Sequence, residues 1–316
     1  MGKIASAKRA TRCVRKLITN YELRITNFKH FLHFPILLCA LCVFAGNSFA
    51  QNFESLAEQV RFGTVEIKRD ALFAIRNLQS ENASRIAISA LTDANEIVRA
   101  TAAFSVIFLP KDEAFAALVP LLNDKSELVR RETAYALGKI QNPSAINPLL
   151  QILQKDKILE VRNAAVVALG EIGDVSAINS LTSILKEKPK EKDEFLRRSA
   201  ARSIGQIAQI IQIQKSQVIT PQNFLPDKYK EITLAKYAIL SMEFPAFRES
   251  LAVLIKILQN NKEARDTKRE AAFALGAIGD ESAVSVLQSN LTNEDYYLAE
   301  ICREALKKIS LVSISK

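Results

Sequence analysis

Residues Glu160–Asp174 read EVRNAAVVALGEIGD, and the chain repeats this twice more with few changes, as ELVRRETAYALGKIQN at Glu127–Asn142 and TKREAAFALGAIGD at Thr267–Asp280. Looser copies are EIVRATAAFSVIFL at Glu96–Leu109, FLRRSAARSIGQIA at Phe195–Ala208, EIKRDALFAIRNL at Glu66–Leu78 and YLAEICREALKKI at Tyr297–Ile309. The basic residues Lys68, Arg99, Arg130, Arg162, Arg197 and Lys268 occupy one column of the alignment. The first four stand 31, 31 and 32 residues apart, the fifth follows after 35, and the sixth only after 71. A period of this length marks a stacked array whose units are each too small to bury a core alone.

Within a copy the apolar period is helical. Between Leu128 and Ile140, the residues Val129, Thr133, Ala136, Leu137 and Ile140 share one face at about 100° per residue, and Arg131 points the opposite way. Gly173 and Gly279 suit the left-handed residue that ends a helix, and Asp174 and Asp280 can cap the helix that follows. A second amphipathic segment accompanies the copies: AFAALVPLL at Ala114–Leu122, AINPLLQIL at Ala145–Leu153, AINSLTSIL at Ala177–Leu185 and AVSVLQSNL at Ala283–Leu291. Each unit is therefore expected to be a pair of antiparallel helices. The glycines Gly138, Gly170, Gly205 and Gly276 sit inside the repeated helix, where glycine weakens a helix, so close approach of a neighbouring helix is their expected justification.

This pattern resembles the HEAT repeats, in particular the HEAT-like repeats of the phycobilisome-lyase type. The resemblance is carried by the Val-Arg pair, by Ala-Leu-Gly, and by an aspartate six residues before the arginine at Asp93, Asp124 and Asp156, and it covers nearly all of residues 53–310. It implies an all-α, right-handed α-α superhelix, a HEAT/armadillo-like solenoid of seven to eight helix pairs. It also implies a ladder between neighbouring units, built from Asp93, Asp124 and Asp156 with Arg99, Arg130 and Arg162. The pattern departs at the ends, where Phe62 replaces the first aspartate and Asn293 and Ala299 replace the last pair, as atypical terminal units would.

The full chain holds 43 basic and 34 acidic residues, a balance that suggests a nucleic-acid partner. Residues 1–50 alter that reading. They hold eight of the basic residues and one acid, Glu22, followed by the apolar run Phe34–Phe44 and by Ser48-Phe49-Ala50 before Gln51. A basic segment, a short apolar core and small residues three and one before a junction describe a bacterial-type signal peptide cleaved after Ala50. The apolar run falls short of the roughly 20 residues a membrane span needs. Removing eight of 43 basic and one of 34 acidic residues leaves 35 and 33, a net charge of +2, which disfavours a nucleic-acid partner. The expected location is periplasmic or extracellular, with no stable membrane span. The duplication of Ile18-Thr-Asn-Tyr21 as Ile25-Thr-Asn-Phe28 carries the further expectation that translation starts downstream of Met1.

The same cut removes both histidines, His30 and His33, and the cysteines Cys13, Cys39 and Cys42, leaving Cys302 as an expected core residue. Triads built on imidazole and zinc sites of Cys/His type then lack their ligands. The His-Glu metal pairs of the related deoxyhypusine hydroxylases are absent for the same reason, and nothing matches a phosphate-binding glycine loop. No cofactor or metal is expected, and no enzyme activity.

Residues 51–316 are expected to form the solenoid, with an irregular insertion near residues 209–244. There, either a unit has lost its first helix or a helix has been inserted between units. The charged run Lys186–Glu194 reads as a solvated loop. In HEAT arrays the second helices line the concave face. The column opposite their core reads Arg69, Ala100, Arg131, Asn163, Arg198, Arg269, Glu300, and four residues on stand Phe73, Phe104, Tyr135, Val167, Arg202, Phe273, Glu304. Arginines beside aromatics would suit an extended, partly acidic peptide or protein segment. The candidate contacts are Arg69, Phe73, Phe104, Arg131, Tyr135, Arg198, Arg202, Arg269 and Phe273. Two alternatives stand: the aromatics fill grooves between neighbouring helices and the arginines are solvated, or a lyase-like groove holds a tetrapyrrole or modified substrate.

Overall fold

The computed structural model describes residues 53–216 and 240–314, nearly all within one compact unit, Ser55–Lys316. The expected signal peptide, with His30 and His33, lies outside the described residues, as does the stretch from residue 217 to 239. Every regular element among the described residues is helical, in line with the all-α superhelical array expected from the repeat.

The helices come in pairs. A helix over 53–62, α1, precedes α2 (Val65–Asn77). Next come α3 (Glu81–Ala87) with α4 (Glu96–Ser105), α5 (Lys111–Leu118) with α6 (Glu127–Ile140), and α7 (Ile146–Lys155) with α8 (Leu159–Ile172). The fifth pair is α9 (Ile178–Lys186) with α10 (Glu194–Ser216). A short α11 (Leu240–Glu243) follows, then α12 (Pro245–Gln259) with α13 (Arg265–Ile278), and α14 (Val284–Ser289) with α15 (Tyr296–Ile314). Seven pairs are thus described.

Local chemistry sets the boundaries. The Thr64 and Asn95 side chains accept backbone N–H groups at the starts of α2 and α4. Gly173 (φ 80°) and Gly279 (φ 75°) end α8 and α13 in the left-handed region. Asp174 and Asp280 then accept the N–H of Ser176 and Ser282, opening the next pair. Gln141 occupies the same left-handed position after α6, although it is not glycine. Pro120 lies in a 3₁₀ turn, Val119–Asn123, that closes α5. One boundary differs from the sequence reading: α4 stops at Ser105 rather than running to Leu109. Pro110 disfavours helix in the residue before it, and Val106–Leu109 close in a tight turn.

Neighbouring second helices pack in an unbroken row, α2 on α4, α4 on α6, α6 on α8, α8 on α10, α10 on α13, and α13 on α15. The 71-residue interval in the basic column does not interrupt this row. The pairs on either side of residues 217–239 are direct neighbours, with α9 also on α12. Leu72, Leu137, Leu169, Leu181, Ile204 and Phe247 are fully buried along this core. Cys302 is buried in α15, and burial pushes its thiol up to about 11.

The helix glycines mark the points of closest approach. A Cβ added at Gly138 would stand 2.7 Å from Ala168 Cα, one at Gly170 2.7 Å from Ser203 Cβ, and one at Gly276 2.7 Å from Ala305 Cα. Each contact is with the next second helix. Hydroxyls stitch the same row: Ser105 Oγ donates to the Leu72 carbonyl and Ser203 Oγ to that of Val166.

Two opposing effects meet at Gly138. Alanine favours an isolated helix by about 1 kcal/mol, but its methyl would meet backbone of α8. We expect Gly138→Ala to lower the midpoint of chemical unfolding, because a fixed backbone cannot yield as a side chain can. A raised midpoint would show that helix propensity outweighs packing there.

Candidate binding face and the ladder between units

The aspartates implied to form the ladder sit at the ends of the first helices in one backbone conformation, with φ/ψ of −59°/149° at Asp93, −60°/146° at Asp124 and −68°/136° at Asp156. In each, Oδ1 accepts the N–H two residues on: Asn95 at 2.8 Å, Ser126 at 2.8 Å and Ile158 at 2.9 Å. That turn aims Oδ2 at the preceding unit. Lys68 Nζ reaches Asp93 at 2.6 Å, Arg99 Nε reaches Asp124 at 2.8 Å, and Arg130 Nε reaches Asp156 at 2.7 Å. Arg99 and Arg130 bind with two nitrogens each and also donate Nη1 to the carbonyl of the aspartate in their own unit. Such paired geometry is strong and directional.

The electrostatics agree. Hydrogen bonding from Arg99 holds Asp124 below the usual carboxylate range against the opposing effect of burial. For Asp93 and Asp156, burial acts upward and is the largest single influence. The hydrogen bonds from Lys68 and Arg130, together with the turn N–H groups, outweigh it, and both carboxyls end up lowered.

The ladder departs from the sequence reading at three junctions. Arg162 forms no rung: no carboxylate pairs with it among the described residues, and its buried Nε lacks an acceptor. Glu187 occupies the aspartate position, with φ −62° and ψ 150°, but its side chain is a methylene longer and exposed. The residue two on is Pro189, which has no N–H to fix the turn. Next, Arg197 pairs across the chain gap with Glu263, at 3.0 and 2.6 Å, and both side chains are almost fully buried. Last, Lys268 lies in the basic column, but its neighbour Arg269 makes the contact, gripping Asp295 at 2.9 Å. Asn293 keeps the turn there by accepting the Asp295 N–H, so the carboxylate has moved two residues along.

Placement on the second helices divides the proposed contact residues in two. In the C-terminal half they are engaged with neighbouring helices. Arg198 pairs with Asp266 at 3.2 Å and lies over the Phe195 ring; Arg202 pairs with Glu270 at 3.0 Å. Arg269 belongs to the ladder, and Tyr297 stacks on its guanidinium, 5.0 Å away. Phe273 fills the groove above Gly205, where an added Cβ would stand 2.5 Å from its Cε1. A groove of about 320 Å³ bounded by Arg202, Glu270, Phe273, Glu300, Glu304 and Lys308 runs across this region.

In the N-terminal half the same columns are open. Phe73 is 42% exposed, and Phe104 and Tyr135 are half-buried beside it in successive helices. Arg69 has a buried Nε without an acceptor. Arg131 pairs only with the adjacent Glu132. Sequence reasoning missed Arg76, which lies one turn beyond Phe73 with its guanidinium 5.5 Å from the centre of the Phe104 ring. Its spacing of seven from Arg69 was the available signal. Two members of the column opposite the core, Ala100 and Asn163, are buried, because the close row of second helices covers them.

Two outcomes follow from the ladder. Carboxylates whose folded pKa is lowered stabilise the fold above their unfolded value of about 4 and lose that contribution as pH falls through the folded value. The melting temperature should be flat from pH 7 to 5 and drop steeply below about pH 4, with a shallower acid drop in Asp124→Asn. An unchanged acid profile in that variant would exclude the rung as its source. At the gap, the pair Glu187→Asp and Pro189→Ser restores the side-chain length and the turn N–H. It should raise the melting temperature by about 2–4 °C, the shift expected for roughly 1 kcal/mol in a domain this size. No rise would mean that Arg162 is already satisfied by solvent.

None of the curated proteins matches this chain. Among solved structures, the complex of CpcE and CpcF of phycocyanin lyase from Nostoc sp. PCC7120 is 18% identical, covering 84% of this chain and 94% of that one with a TM-score of 0.44. Human deoxyhypusine hydroxylase in complex with glycerol is 18% identical, covering 84% and 98% with a TM-score of 0.38. A designed armadillo repeat protein in complex with the peptide (KR)4 is 17% identical, covering 81% and 98% with a TM-score of 0.39. The sequence profile of HEAT repeats matches at residues 84–166, 115–205 and 230–307, more than half of the chain. With helix pairs stacked over the same residues, the chain belongs to the HEAT-repeat family.

Proposed function

We propose that this protein is an exported, non-catalytic HEAT-repeat scaffold that binds a protein or peptide partner along its row of second helices. The observation that carries the reading is the open wall formed by Phe73, Phe104 and Tyr135 with Arg69 and Arg131 beside them. Aromatic rings and guanidinium groups give large contact area at small entropic cost, and they dominate binding energy at protein interfaces. Here they stand on helices tied to one another by the Ser105–Leu72 hydrogen bond and the Lys68–Asp93 and Arg99–Asp124 pairs, so little ordering is needed on binding.

Export rests on the basic segment, apolar run and small-residue junction of residues 1–50. No described helix is long and apolar enough to cross a membrane. The non-catalytic reading rests on composition: no histidine lies between Gln51 and Lys316. Its single thiol is buried and pushed up to about 11, away from nucleophile chemistry. Among the described residues, no group of three or more histidine, cysteine or acidic side chains is placed to hold a metal ion.

The test is affinity capture from a periplasmic extract with residues 51–316, comparing the parent with a variant carrying Arg131→Glu and Tyr135→Ser. Both side chains are half-exposed, so circular dichroism and the melting temperature should match the parent. The partner retained by the parent should be lost by the variant. Equal retention by both would remove the second-helix face from consideration.

A further inference from the structure

The second-helix face is electrostatically lopsided. In its C-terminal half each arginine of the two columns is already neutralised: Arg198 by Asp266, Arg202 by Glu270 and Arg269 by Asp295. On α2 such a partner is found, among the described residues, for Lys68 and not for the arginines. Arg69 and Arg76 lie on one stripe with Phe73, at spacings of four and three residues, and no carboxylate pairs with either among the described residues. Among the acids of that helix, Glu66 feels Arg69 only weakly. Its carboxylate is held first by its own backbone N–H and by Thr64, and Arg69 is the weakest of the influences on it. The Arg76 guanidinium rests against the Phe104 ring, which holds the group in place but supplies no acceptor for its five N–H donors. Two helices along the row, Arg131 pairs with the single carboxylate of its own neighbour, Glu132.

Spacing gives this asymmetry a sequence. Packed helices stand about 8–10 Å apart, and an extended or polyproline-like peptide advances about 3.1–3.3 Å per residue. A strand laid across the row therefore meets a new helix every third residue. We propose that α2, α4 and α6 hold an extended acidic peptide segment, its carboxylates on Arg69 and Arg76 and its apolar side chains, three residues apart, against Phe104 and Tyr135. The inference rests on the second-helix reading above and narrows it to one end of the row and one charge. Phe73, exposed between the two arginines, closes the acidic end against water and so strengthens the ion pairs. The C-terminal half does not compete for carboxylates, because its arginines would have to break existing ion pairs first.

The test uses residues 51–316 and labelled twelve-residue peptides with a Ser/Pro background. Two leucines are set three residues apart, next to a pair of aspartates placed at either end. Control peptides carry serines or lysines in place of the aspartates. Fluorescence anisotropy should show the acidic peptide binding at least about tenfold more tightly than the serine peptide, with affinity falling as salt is added. The lysine peptide should not bind. Arg69→Ala with Arg76→Ala should remove the preference for acid, whereas Arg198→Ala with Arg202→Ala should leave affinity within about twofold. Charge reversal at Arg69 and Arg76 guards against a trivial loss, since it should make the lysine peptide the better ligand. Equal binding of acidic and serine peptides, or binding of neither, overturns the proposal. If the loss follows Arg198 and Arg202 instead, this placement fails while the second-helix face survives as the binding surface.

Discussion

A pair of helices from this chain has apolar surface on two sides and can hide only one of them by folding on itself. The other must be covered by the next pair, and everything else in the structure is arranged so that this can happen at one fixed distance. Glycine supplies the distance. At Gly138, Gly170 and Gly276 the facing helix comes so near that a single methyl would strike its backbone or Cβ. On the first helices the larger residues Leu149, Leu181 and Leu254 are fully buried.

Packing alone does not set register, since a smooth apolar seam tolerates sliding. The ladder supplies direction. An aspartate locked by the amide two residues on presents its second oxygen at one place, and a guanidinium fixed by the carbonyl of its own unit can meet it only in one alignment. Net stabilisation from such half-buried pairs is modest, because burial opposes the charge it exposes to attraction. Their specificity is larger than their energy. The Arg197–Glu263 pair shows this most plainly, joining units whose sequences are separated by a long excursion and sealing the joint in the most buried ion pair of the described residues. Where the turn amide is lost at Pro189, the carboxylate drifts to solvent and Arg162 is left without an acceptor. The rung fails through its geometry, although a carboxylate is present.

Much of this was legible in the sequence because the repeat is a local pattern used many times. The ALG core, the Gly-Asp punctuation after α8 and α13 and the extent of α6 follow from helical period and capping alone. What the sequence hid depends on residues brought together from different units. The substitution of Glu263 and Asp295 for missing aspartates could not be read, since neither stands at the expected spacing. The compensation of Arg198 and Arg202 was equally invisible, because Asp266 and Glu270 lie 68 residues further along the chain. The direct contact of α10 with α13 across the 71-residue interval was not readable from the spacing either.

That compensation changes how the arginine column should be understood. A row of like charges at a period of some 31 residues resembles a uniform docking rail when written as text. Folded, its members have different environments, because the acidic residues opposite them were free to vary from unit to unit. A guanidinium already paired with a carboxylate offers a partner little, since binding must first undo what folding made. One left over an aromatic ring offers nearly its full capacity. The binding potential of such an array therefore lies in the arginines of the face that folding left unpaired, and Arg69 and Arg76 on α2 are two of these.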